Sequence, residues 1–122
     1  MGEGKEYVSR PDEMGNIHIS EEVLAAIAAA AALEVDGVSS MAGGLSREIS
    51  ELVTGKKLNR GIDIRVNEES VCIRVAILVK YGHVIPDVGR AVQDAVMSAV
   101  ENTTGLKVES VNVHVAGVTF PR

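Results

Sequence analysis

Cys72 shares strand parity with Arg74, and an adjacent guanidinium can lower a thiol pKa enough to make a nucleophile. No histidine lies within local reach as a base, so the pair that thiol catalysis needs is missing. The three histidines are His18, His83 and His114. Two of them fall on separate strands with no carboxylate or thiolate at ligand spacing, which makes a poor metal site. Ser50–Lys57 is not a phosphate-binding loop, because the first glycine is missing and Lys57 stands where a hydroxyl residue is required. Asp87, Asp94 and Glu101 recur every seven residues on one helical stripe and read as a solvated face, with an acidic docking stripe as the alternative. The expectation is no catalytic residue, no metal ligand and no cofactor-binding residue.

One local cluster has the opposite sign to the chain. Lys56, Lys57 and Arg60, followed by Arg65, stand in a protein of net charge −5. They are candidates for contact with an anionic partner (a phosphate, an acidic segment or an anionic lipid surface), against the plainer reading of a solvated loop. Overall acidity works against steering by nucleic-acid phosphate. The aromatic residues are Tyr7, Tyr81 and Phe120, too few for a base-stacking platform, so no nucleic-acid partner is expected. A single cysteine excludes a disulfide framework and fits a reducing cytosol. No apolar run reaches the ~20 residues of a membrane span, and the charged N-terminus has no secretory h-region, so direct membrane insertion is not expected.

The elements that carry these residues are legible from periodicity. Val71, Ile73, Val75, Ile77 and Val79 alternate with Cys72, Arg74, Ala76, Leu78 and Lys80, the pattern of a strand with one face buried. Tyr81 and Gly82 form a structural corner, where glycine permits the positive φ of a sharp reversal. Pro86 suits the first turn of the following helix, about Pro86–Thr103, with Val88, Ala91, Val92, Ala95 and Ala99 on one face and Gly105 as its stop. Upstream, residues 1–14 read as a flexible polar arm and Asn16–Ile19 as a short strand. Ser20 caps a helix running to about Val35. Leu45, Ile49, Leu52 and Val53 suggest a short amphipathic helix. Ile62, Ile64 and Val66 make a strand that turns through 67–70 into the Val71 strand. In the last strand Leu106 and Val108 share one parity and Val111, Val113 and Val115 the other, which a bulge near Glu109-Ser110 reconciles.

The resulting order, β-α-(α)-β-β-α-β, predicts an α+β domain over residues 15–122. It is two-layered, with an antiparallel-rich mixed sheet of about four strands and helices on one face. Asp63, Arg65, Arg74, Lys80, Asn112 and His114 leave the other face wet. The first helix is the unusual element. From Val23 to Leu33 it has no polar side chain, and seven of those eleven residues are alanine. Leu24, Ile27, Ala31 and Val35 form a stripe suited to the sheet. Ala25, Ala29 and Ala32 fall roughly opposite and are candidates for self-association, since an apolar perimeter wider than one sheet face asks for a second cover.

The runs YGHVIPDVGRAVQDAV and ENTTGLKVESVNVHVAGV resemble the alkaline shock and general stress protein family of Gram-positive bacteria. GNIHISEEVLAAIAAAAALEVDGVSSMAGG and GKKLNRGIDIRV extend the resemblance over roughly residues 15–118. It implies a non-enzymatic cytoplasmic protein of stress and cell-envelope homeostasis. It also implies a self-associating protein-interaction module, a homo-oligomer, recruited in some members to the membrane by a small anchor protein. The alternative is a nucleic-acid-binding module of KH-like type, which shares the split β-α-β order but needs a basic GXXG loop that is absent here.

Overall fold

Val71, Ile73, Val75, Ile77 and Val79 are each completely buried, and the residues between them are exposed or partly so. They belong to β5 (Ser70–Lys80), the strand on which the domain is assembled. The computed structural model describes residues 7–12, 15–43, 61–68 and 70–121. Before β5 come β1 (Tyr7–Asp12), β2 (Gly15–Ser20), α1 (Glu21–Glu34), β3 (Val38–Met41) and β4 (Ile62–Val66); after it come α2 (Ile85–Thr104) and β6 (Lys107–Thr119).

β6 runs parallel to β5 along its whole length, joined to it through α2. β3 and β4 are both antiparallel to β5 and share its other edge end to end. β4 pairs with Val71–Val75 and β3 with Ile77–Val79. Between them, Ala76 donates to the Gly61 carbonyl at 2.7 Å and accepts from the Ala42 N–H at 2.9 Å. β3, β4, β5 and β6 form a mixed sheet, and α1 and α2, the helices among the described residues, lie on one face of it, as the strand and helix pattern predicts. Asp63, Arg65, Arg74, Lys80, Asn112 and His114 are exposed on the other.

Within the polar arm read into residues 1–14, the described residues 7–12 form a strand. Tyr7–Asp12 pairs antiparallel with β2, from Tyr7 opposite Ser20 to Asp12 opposite Gly15, as a separate two-stranded ladder. Its sequence, YVSRPD, contains a proline and no apolar alternation, so periodicity does not announce it. β3 is also additional. Only Val38 and Met41 of its four residues are buried, and an irregularity between Val38 and Ser40 removes the period-2 pattern. The short helix read from Leu45, Ile49, Leu52 and Val53 lies outside the described residues.

Ser20 Oγ accepts from the Val23 N–H at 3.2 Å and caps α1 as its type predicts. α1 packs against α2 on its flank and against β3 and β4 below, while α2 covers β6. The buried stripe of α2 is Val88, Val92, Val96 and Val100, a strict i, i+4 row. Val96 and Val100 take the places that the sequence reading gave to Ala91, Ala95 and Ala99. Gly105 ends the helix in the left-handed region at φ 76°, its N–H bonded to the Glu101 carbonyl at 2.9 Å.

Candidate functional site

Two regions carry side chains that packing alone does not require. The first follows from the bulge. Val71 pairs with Val108 and Cys72 with Ser110, so Glu109 is the extra residue in β6. This lets Val108 and Val111 both enter the core despite their opposite parity. It also swings the Glu109 carboxylate toward the β4–β5 turn. There it accepts from Ser70 Oγ at 2.8 Å, Asn67 Nδ2 at 3.2 Å and Cys72 Sγ at 3.4 Å. Asn67, Glu68, Ser70, Lys107 and Glu109 line an open recess of about 370 Å³. The Ser70 hydroxyl, then the Cys72 thiol, hold the Glu109 carboxyl below the usual glutamate range, helped by Asn67 and the nearby Lys107 charge.

Chemically this is a satisfied acceptor. The ionised carboxylate has no proton to donate near neutral pH, and Cys72 Sγ serves it as a donor. The cluster ties the hairpin turn to the bulge. A depressed folded-state value means that its stabilising contribution is complete above the unfolded glutamate value and is lost as pH falls through the folded one. Glu109→Gln should therefore lower the thermal midpoint at pH 7, with the difference closing on acidification below about pH 4. A midpoint difference of equal size at pH 7 and pH 3 would assign the effect to packing instead.

The second region is the corner after β5. Gly82 has φ +104°, the left-handed region that the Tyr-Gly reading required. Tyr81 beside it donates its N–H to the Thr119 carbonyl at 2.8 Å, while its ring lies on the surface against Phe120. Val84 and Ile85, also exposed, follow the corner into α2.

The alanines assigned to self-association face inward. Ala25, Ala29 and Ala32 are 1%, 3% and 0% exposed, within a core that also takes Leu24, Ala28 and Leu33. Across these positions the buried arc of α1 spans about 180° at 100° per residue. The sheet covers one part of that arc and α2 another, so small side chains serve close helix–helix contact inside the domain. Single-sheet reasoning omitted this neighbour. The larger apolar side chains that α1 leaves outside are Val23 and, in part, Ile27. They line a groove of about 530 Å³ with Ile17, Ile19 and the end of α2. Lys56, Lys57 and Arg60 lie outside the described residues. Among the described residues no group of three or more histidine, cysteine, aspartate or glutamate side chains could hold a metal ion.

A family model for the alkaline shock protein 23 family, described as having a cell envelope-related function, matches residues 9–120. The chain belongs to that family. Its sequence is 37% identical over 106 residues to the uncharacterized protein YloU of Bacillus subtilis, covering 85% of this chain and 88% of YloU. It is 31% identical over 107 residues to YqhY of the same organism, covering 88% of this chain and 79% of YqhY. Among solved structures, a triply substituted MamM CTD superimposes with a TM-score of 0.50 at 18% identity, covering 80% of this chain and 94% of that one. At that identity the likeness is one of fold. The alkaline shock match begins at Ser9, inside β1, and so takes in the strand that the sequence reading left in the arm.

Proposed function

We propose that this alkaline shock family member is a non-enzymatic, self-associating interaction module of cell-envelope homeostasis, cytoplasmic and recruited to the membrane by an anchor protein. The observation that supports self-association is the outer edge of β6. Among the described residues, β6 pairs with β5 alone. Its ends carry irregularities at Glu109 and Ala116, devices that blunt an edge. Between them Ser110–Val115 pairs with β5 without interruption; apart from the Val111 carbonyl, which accepts from Gln93 Nε2 at 3.1 Å, this regular segment of edge has no strand beside it among the described residues. A second copy adding its own β6 across a twofold axis would extend the sheet, because the two edges would be the same surface.

Sedimentation across a range of protein concentrations tests this. The expected result is an oligomer in which alternate amides of Ser110–Val115, those directed away from β5, gain hydrogen-exchange protection as concentration rises. A monomer at high concentration removes self-association. An oligomer with those amides unprotected moves the contact away from β6.

A further inference from the structure

α2 sends a side chain to the backbone of β6. Gln93, exposed on that helix, donates from Nε2 to the Val111 carbonyl at 3.1 Å. The direction of that carbonyl follows from the ladder. Ala76 of β5 donates to the Gly61 carbonyl and accepts from the Ala42 N–H, both on the β3–β4 side. Peptide groups alternate in direction along a strand, so Ile73, Val75 and Ile77 turn theirs toward β6. In a parallel ladder they engage the β6 residues that lie between them in register. Those are Asn112, beside Arg74, and His114, beside Ala76, with Ser110 beside Cys72 continuing the series. Val111, Val113 and Val115 therefore direct their N–H and carbonyl groups away from β5, along the outer edge.

The Val111 carbonyl is thus an outward acceptor that the chain already satisfies for itself. Holding the helix down does not require this bond, because α2 is seated by its buried row Val88, Val92, Val96 and Val100. A long exposed glutamine also gives up rotamer freedom to keep one geometry, so the contact is readily displaced. Its effect falls on whatever approaches the edge. An incoming strand N–H must displace Nε2 from Val111 or share the oxygen with it. In either case it gains less than at a carbonyl bonded only to water.

We propose that Gln93 is a gate on the β6 edge, an internal donor that occupies the Val111 acceptor in the single copy and limits how tightly a second copy adds its strand. This rests on the reading that copies pair through β6. In a twofold contact each copy brings its own Val111 carbonyl and its own Gln93, so the gate acts twice.

Sedimentation equilibrium of the full chain tests it, with the wild type compared against Gln93→Ala and Gln93→Met. Both variants remove the donor, and methionine keeps the length of the side chain, so agreement between them separates the hydrogen bond from bulk. Each should tighten self-association by about tenfold. Hydrogen-exchange protection at Val111, Val113 and Val115 should then appear at lower protein concentration than in the wild type. An oligomer protected at β6, with the same dissociation constant in all three proteins, would overturn the gate and leave the pairing through β6 standing. Weaker association of the variants would do the same, since Gln93 would then be part of the contact. Opposite shifts for alanine and methionine would assign the effect to bulk and also remove the gate. Three monomers at high concentration, or tighter association with those amides unprotected, would overturn the gate and the β6 pairing together.

Discussion

Gly61→Ala should destabilise the domain by about 3–5 kcal/mol, the sum of backbone strain and disrupted backbone hydrogen bonds. Gly61 has φ +78°, so any L side chain there is strained before space is considered. Space is also missing. A Cβ would lie 2.9 Å from the Ala42 carbonyl oxygen, 3.1 Å from that of Ala76 and 3.4 Å from the Ala42 nitrogen. These are backbone atoms, and no rotamer change moves them aside. They also belong to the junction where β3 stops and β4 starts along the same edge of β5. To make room, the bonds from Ala76 to Gly61 and from Ala42 to Ala76 would have to lengthen. Urea denaturation gives the measurement. A loss under ~1 kcal/mol, the ordinary scale of a single substitution, would mean that the two strands are not pinned at this point.

The junction shows where sequence reading reaches its limit. β5 is legible in full because all five of its core-facing residues obey one period and stay buried for its whole length. The bulge at Glu109 is legible because two apolar parities conflict within one strand. The collinear arrangement of β3 and β4 is not, since it depends on which half of β5 each strand meets. Gly61 reads as loop composition until Ala42 and Ala76 are placed around it. The candidate sites divide the same way. Tyr81-Gly82 is visible as a corner, whereas the stacking partner Phe120 comes from the far end of the chain. The Glu109 cluster joins residues about forty positions apart, 109 with 67, 70 and 72, through strand register that composition does not carry. A conflict of parity was the one sequence signal pointing toward it.

Ala29→Glu should leave the chain largely unfolded at neutral pH. If Ala29 faced a partner molecule, the carboxylate would only break an oligomer, and the freed monomer would remain folded. Instead Ala29 is 3% exposed, with Ala25, Ala28 and Ala32 buried beside it and α2 packed on the same helix. A glutamate there adds volume to a packed core. It also places a charge where the core offers no polar side chain, since among the described residues none that is buried is polar or charged. Overpacking costs about 1–3 kcal/mol, and an unpaired buried carboxylate costs several more or must take up a proton. Together these are comparable with the roughly 5–15 kcal/mol that holds a domain together. Ala30→Glu is the control: the next residue on the same helix is exposed, and the charge can stay in water. Far-UV circular dichroism at pH 7 should show a folded Ala30→Glu protein and an unfolded Ala29→Glu protein. Raising protein concentration should not rescue the latter, because the defect lies within one molecule. A folded, monomeric Ala29→Glu protein would turn α1 back toward an external partner and restore the alanines as an interface.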